Sequence, residues 1–375
     1  MGPLSGVRVI EMAGIGPGPF CGMVLSGLGV EMVRVDRRDA EPMLDDPVTL
    51  RGRRSIALDL HSPEAVEVVL RLVETADGLI EGFRPGVMER MGLGPGECLG
   101  RNPRLVYGRI TGWGQDGPLA ASAGHDITYL AVAGGLHPIG RSGEVPVPPL
   151  NLVADYGGGG MLLALGMVAA LYEAQRSGTG QVVDAAMVDG VAQLTALFHG
   201  GLAAGWWRPE RGSNLLDGAA PFYDTYLTSD NESVALGALE PKFYAALVER
   251  LGLDPAALPP QYDRERWPEL RARLAEVIAT KTRDDWAAEL EGTDSCAAGV
   301  LSLAEAPAHP HNVARASFIE VGGVVQPAPA PRFSATPTGK PSPPPAPGAN
   351  TDAVLFELGY TPSEISNLRR SGVVG

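Results

Sequence analysis

His125, in GHDITYL, stands between a glycine and an acid, and Asp155, in NLVADYGGGG, stands at the head of an apolar run. An imidazole and a carboxyl group are side chains suited to exchanging a proton with a substrate near neutral pH. Each also has an ordinary structural use. Aspartate is a favoured helix N-cap, its carboxylate accepting free backbone N–H groups; a lone histidine is commonly a satisfied buried side chain. Glu240, in GALEPKFY, reads by itself as a surface carboxylate. The four glycines after Asp155 sit poorly with plain capping, because each costs a helix roughly 1 kcal/mol relative to alanine. They suit a helix end that something must approach closely. Such an end also offers N–H donors and the positive pole of the dipole to a developing oxyanion. The first turn can then supply a carboxylate base and a donor for an enolate together.

A second constellation lies near the N-terminus. MAGIGPGPFCG (12–22) separates the apolar runs VRVIE and VEMVRVDR. A glycine-rich turn between strand and helix is a phosphate-binding device in dinucleotide folds, which want G-x-G-x-x-G. Here Gly14, Gly16 and Gly18 alternate, and Pro19 takes the place of the third glycine. Asp36 can imitate the ribose-binding acid, but Arg37 and Arg38 follow it at once. A nicotinamide site and a tight turn without a ligand are both open on this segment. Further arginines stand beside strand signals: Arg51, Arg53 and Arg54 before one, Arg84 and Arg90 after another in EGFRPGVMERMG. Strand C-termini of a parallel sheet share one edge, where ligands bind. Several arginines there suggest a polyanion with separated phosphates, since guanidinium holds phosphate oxygens in a fixed fork.

The elements that must position these residues are legible in outline. VRVIEM, VEMVRVD, SIALDL, ADGLIEGF, RLVYGRI and QVVDAAM read as strands. Between them lie PFCGMVLSGLG, a helix closed by Gly29, and a helix with Ser62 as N-cap and Pro63 at its first position. Such alternation builds a parallel sheet covered on both faces. DYGGGGMLLALGMVAALYEAQ (155–175) predicts a long helix, central because it is apolar all round. VDGVAQLTALFHGGLAAG predicts one more. YDTYLTSDNESVALGAL reads as two strands about an Asp230-Asn231 turn, followed by the helices KFYAALVERLGL and WPELRARLAEVIATKT. Residues 326–348 are proline-dense and extended; Thr361-Pro362-Ser363-Glu364 is a capping box opening a last helix. The expected fold is α/β. Residues 1–200 with 320–375 form a large Rossmann-like parallel-sheet domain and 220–310 a smaller α+β domain, with linkers at 201–219 and 311–319.

Composition limits the partners. A formal charge of −14 over 375 residues argues against nucleic-acid and membrane-surface binding, which need a basic face. Any anion must meet a local arginine cluster. Three distant cysteines, Cys21, Cys98 and Cys296, give neither a disulfide framework nor a zinc site. No run of about 18 apolar residues is seen, and MGPLSGVRVIE enters a strand with no room for a signal peptide. A cytoplasmic protein without a metal is expected.

Several segments, in order, carry a family likeness: LSGVRVIEMAGIGPGPFCGMVLSGLGVEMVRVDR, RRSIALDL, EGFRPGVMERMGLG, TGWGQDGP, AGHDITYL, PPLNLVADYGGGG and GQVVDAAMVDG. Together they resemble the CoA-transferase family III (CaiB/BaiF-like) signatures, and the Gly-His-Asp segment is nearest the α-methylacyl-CoA racemases within it. The resemblance implies two subunits threaded as an interlocked homodimer and an acyl-CoA ligand, with CoA part of the substrate and no separate cofactor. It places the CoA contacts on Ile15, Arg37, the stretch Leu58, Asp59, Leu60 and His61, then Gly82, Phe83, Arg84 and Arg90. The thioester and pantetheine arm fall along Gly124, Asp126, Ile127, Thr128 and Tyr129. His61 replaces a common lysine. The resemblance also implies a chemistry. A thioester acidifies its α-hydrogen, so inversion of that carbon needs two opposed acid–base groups, His125 and Asp155. Glu240 would hydrogen-bond the histidine from the other subunit's small domain. The competing activity on the same fold is CoA transfer, with Asp155 attacking the thioester carbonyl to form an acyl anhydride.

Overall fold

The computed structural model describes residues 2–39 and 46–375. In chain order it forms β1 (Arg8–Met12), α1 (Pro17–Gly27), β2 (Glu31–Arg37), β3 (Arg53–Leu58), α2 (Pro63–Thr75), β4 (Gly78–Glu81), α3 (Val87–Arg90), α4 (Pro95–Arg101), β5 (Val106–Thr111) and α5 (Asp126–Val132). A π-helical segment, Leu152–Met161, runs into α6 (Leu162–Ser177), then β6 (Gln181–Ala186) and α7 (Met187–Leu194). Next come α8 (Ala196–Ala204), β7 (Tyr223–Leu227), β8 (Ser233–Gly237), α9 (Pro241–Arg250), α10 (Trp267–Ile278), α11 (Arg283–Leu290) and β9 (Ala297–Gly299). The chain closes with α12 (Pro310–Ala314), β10 (Phe318–Val321), β11 (Val324–Pro327), α13 (Thr351–Glu357) and α14 (Pro362–Arg370).

Two compact units result: residues 1–133, 150–194 and 311–375, and residues 134–149 with 195–310. Residues 134–149 cluster with the second unit, a shift of which their composition carries no sign. The first unit contains the six predicted strands as one sheet in the order β3-β2-β1-β4-β5-β6. Every pairing is parallel. Alternate side chains feed two cores. Ile10, Met12, Val33, Leu79 and Tyr107 join α2, α4, α13 and α14, whereas Val9, Met32, Ile80, Val106 and Ile110 join α1 and α6. The sheet grows one way from β1 and then the other from β4, so a crevice opens at the C-terminal ends of these neighbours.

The long apolar helix differs from its sequence expectation. It starts at Leu152 rather than at Asp155, and its first ten residues are π-helical. Leu152–Ser177 is long and apolar enough to cross a membrane by length and composition, contrary to the absence of such a run inferred from sequence. Its small residues disguise this. In the first unit Leu163, Met167 and Ala170 pack on the sheet as core. The segment read as one helix after β6 breaks at Thr195 into α7 and α8.

The second unit packs α9, α10 and α11 with the antiparallel sheet β7-β8-β9 around Phe222, Trp267 and Trp286. The expected turn holds Asn231 at φ 63°. The short third strand, AAG, had no apolar signal to betray it. Thr361 and Glu364 close the capping box of α14, Thr361 N–H donating to Glu364 Oε2 at 2.8 Å.

Candidate active site

The glycine turn leaves β1 inside the switch-point crevice. Gly16 has φ 67°, a left-handed backbone, and a Cβ there would lie 3.4 Å from Asp155 Oδ2. The turn therefore borders a candidate acid–base group. It is held from beneath by buried charge: Glu11 accepts from Arg34 Nη1 and, at 3.0 Å, from Arg53 Nε. Arg34 Nη2 reaches Gly14 O at 3.4 Å, and Arg53 Nη2 donates to Pro19 O at the start of α1.

This bracket corrects the polyanion inference for three arginines. Arg53 is committed to Glu11; Arg51 donates to Gln326 Oε1 at 2.7 Å and Pro327 O at 2.6 Å; Arg54 pairs with Glu31 and Glu357. They hold the fold. Asp36, the possible ribose acid, accepts from Arg34 Nε at 2.9 Å and Ser55 Oγ at 2.6 Å. It is engaged within the protein, which tells against a nicotinamide ribose contact. Arg37, Arg84 and Arg90 are exposed, and Arg84 lines the crevice.

At the end of β4, buried Glu81 accepts the Phe83 N–H at 2.7 Å and Arg109 Nε at 2.9 Å. Arg109 Nη1 continues to Glu89 of α3 at 2.8 Å, anchoring the short helix that ends in Arg90. Glu11, Arg34, Glu81 and Arg109 are thus supports that no local sequence motif announces. Their alternation with apolar residues inside strands was the available signal.

His125 occupies the N-cap position of α5, with its N–H donating to Thr128 Oγ1 at 3.0 Å and its carbonyl accepting the Thr128 N–H at 2.8 Å. Its backbone is fixed and the residue exposed. Tyr129 lies so close to Gly112 that a Cβ there would come within 2.0 Å of its ring, and Trp113 meets it edge-on at 4.8 Å. The TGWG and GHDITY segments therefore interlock.

Asp155 is not the N-cap. Asn151 holds that place, and Asp155 lies in the first turn of the π segment. The cap comes from α5: Asp126 Oδ2 accepts the N–H groups of Ala154 at 2.8 Å and Asp155 at 2.7 Å. The Tyr156 N–H donates to Asn151 O at 3.3 Å. These N–H groups are taken, so the enolate donor expected at this helix start is not supplied by Ala154, Asp155 or Tyr156. Three of the four glycines have a packing cause. A Cβ on Gly160 would lie 2.8 Å from Pro17 O, one on Gly159 2.8 Å from Met187 Cγ, and one on Gly158 3.0 Å from Val191 N. Neighbouring helices, rather than a ligand, make that close approach. A π-helical turn is a recurrent feature of functional sites, and here it carries the candidate carboxyl.

Ile15, Gly82, Phe83, Arg84, Gly124, His125, Tyr129 and Asp155 converge on one cavity of about 480 Å3. Burial pushes the Asp155 carboxyl up to about 6, assisted by the Asp126 charge and opposed by the Asn151 hydrogen bond and His125. A carboxyl so poised can hold or release a proton near neutrality. Arg37, Leu58, Asp59, Leu60, His61, Arg90, Asp126, Ile127 and Thr128 do not line the cavity. Leu58 is buried in the core, Leu60 packs against it, and His61 is exposed. Glu240 belongs to the second unit, at the N-cap position of α9. That unit has a hollow of about 970 Å3, lined by Arg141, Asp224 and Arg271 among others. Both arginines are paired with Asp224, and no candidate acid–base residue reaches it. Among the described residues no group of three or more His, Cys, Asp or Glu side chains is placed to hold a metal.

The model for CoA-transferase family III matches residues 4–351. The chain is 48% identical to an alpha-methylacyl-CoA racemase of Mus musculus and 45% identical to one of Homo sapiens. Both alignments cover 99% of this chain and 97% of the relative. A crystal structure of a CAIB/BAIF family protein from Brucella suis superposes with a TM-score of 0.82 at 28% identity, covering 95% of this chain and 99% of that one.

Proposed function

The chain belongs to CoA-transferase family III, and we propose that it is an α-methylacyl-CoA racemase, inverting the α-carbon of 2-methylacyl-CoA thioesters by proton transfer through an enolate. The observation that carries this reading is the meeting of His125 and Asp155 in one cavity at the switch-point edge, with the Asp155 carboxyl raised to about 6.

Inversion needs one group to take the α-proton and a second, across the carbon, to return one. In one direction neutral His125 accepts the proton while protonated Asp155 donates. In the reverse direction ionised Asp155 accepts and the imidazolium donates. The intermediate is an enolate whose oxygen must meet N–H donors. With the Ala154 and Asp155 N–H groups engaged, that role falls to main-chain N–H groups of the cavity wall, beside His125 and along the Gly14–Gly16 turn. Arg84 at the cavity and Arg37 and Arg90 outside it meet the CoA phosphates, with the Leu58–His61 stretch offering backbone to the nucleotide. Glu240 orients His125 in a homodimer, reaching it from the partner subunit. No resident cofactor is required, because the thioester itself acidifies the carbon.

The direct test incubates a single epimer of a 2-methylacyl-CoA with the protein, hydrolyses the thioester and resolves the acid by chiral chromatography. Approach to an equal mixture supports the proposal. Retention of configuration, with CoA passing to an added free carboxylate, would instead establish acyl transfer through Asp155.

A further inference from the structure

Asp126 touches both halves of the proposed proton-transfer pair. It is the chain neighbour of His125, and its Oδ2 receives the main-chain N–H groups of Ala154 and Asp155 at 2.8 and 2.7 Å. The residue is 5% exposed, and its other oxygen, Oδ1, is buried with no hydrogen-bond partner. A carboxylate with one bare oxygen out of water is a costly group. An uncharged acceptor would cap the same two N–H groups without that cost. The charge, not the cap alone, therefore calls for a use, and the Asp155 side chain is an ionisable group that feels it.

We propose that Asp126 is a positioning residue for Asp155: it fixes the first turn of the π segment and, as a buried negative charge, favours the protonated form of that side chain. This rests on the racemase reading for its purpose. Inversion requires the single shared proton to sit on either partner at comparable cost. Were Asp155 a stronger acid by two pKa units, the arrangement with the proton on Asp155 would be about a hundredfold scarcer. Both directions would then slow together, since the equilibrium between the epimers fixes the ratio of their kcat/KM values.

Other ionisable groups lie on the cavity wall and on the elements packed against the π segment. α5 supplies His125 and Tyr129, and the cavity wall supplies Glu11, Glu81 and Arg84. α7 carries Asp189, and α1 carries buried Cys21. Of these, His125 favours the ionised form of Asp155, while Asp126 is the charge that opposes it.

The experiment replaces Asp126 by Asn, which keeps an acceptor for the two N–H groups and removes the charge. Protein carrying 13C-labelled aspartate carboxyls is titrated without substrate, and the Asp155 signal is identified by its loss in Asp155→Asn. The midpoint, near 6 in the parent, is expected to fall by about one unit or more in Asp126→Asn. The acid limb of the α-proton exchange rate against pH moves down with it. If the Asn variant does not fold, Asp126→Ser puts the same question. A midpoint within about 0.3 units of the parent, even with lowered thermal stability, would reduce Asp126 to a cap and overturn the proposal. The titration makes no use of turnover. A shifted midpoint in a protein that exchanges no α-proton would keep the Asp126 inference and remove the racemase; an unshifted midpoint with full exchange would do the reverse.

Discussion

The main-chain N–H of Asp155 donates to Asp126 Oδ2 at 2.7 Å, joining the residue after His125 to the first turn of the segment that carries the carboxyl group. The spacing of imidazole and carboxyl is thereby set by how α5 packs on the π segment. It does not depend on a mobile connection.

Removing one base at a time separates their roles. With His125→Ala, interconversion falls by 10²-fold or more, on the order of a lost general base, and solvent deuterium enters only the epimer whose proton faces Asp155. Asp155→Asn gives the mirror result. Mass spectrometry of each recovered epimer measures this. Exchange into both epimers in either variant would mean that one residue serves both faces.

Stability should report the cost of ionising Asp155. Its folded-state pKa is raised, so the folded protein binds that proton more tightly than the unfolded chain does. The group's favourable contribution is complete below its unfolded pKa of about 4 and is lost as pH rises through about 6. Asp155→Asn removes the loss. The melting temperature of the variant minus that of the parent should be near zero at low pH, grow through this window and level off above it. A difference that shrinks with rising pH would contradict the burial argument.

The bracket under the glycine turn is a buried ion-pair network, with the Arg53 side chain 0% and Glu11 1% exposed. Arg53→Leu leaves Glu11 short of a partner and also frees Pro19 O. A loss of about 3–5 kcal/mol is expected in denaturant unfolding. Arg101→Ala, which breaks surface pairs to Glu67 and Glu74, should cost far less, because solvent screens exposed pairs.

Close backbone packing makes another claim. A Cβ on Gly190 would stand 1.8 Å from Gly158 O, so Gly190→Ala must push α7 away from the π segment. It should cost about 1–3 kcal/mol and depress exchange. Gly100→Ala, with nothing near the added methyl, should be neutral or slightly stabilising.

These supports also mark how far the sequence alone could go. The six strands, the Ser62 and Thr361 caps and the His125 and Asp155 motifs are local patterns, and they were legible. The arginines at 51, 53 and 54 resembled phosphate ligands because their partners, Gln326, Glu11 and Glu357, lie remote in the chain and become neighbours only through the sheet and the returning C-terminal segment. The π-helical start of the long helix was hidden for a similar reason. Its cap is a side chain of α5 and its glycines answer to α1 and α7, so nothing within 152–161 declares the wider turn. The role of Asp126 was masked by its motif: beside a histidine it reads as part of the ligand-binding stretch, whereas its carboxylate faces protein backbone.

The most direct measurement is deuterium wash-in at the α-carbon of a 2-methylacyl-CoA in heavy water, followed from each pure epimer. The account predicts that deuterium enters from either epimer as configuration is lost. Failure of either epimer to take up α-deuterium under conditions where the thioester is bound would contradict it.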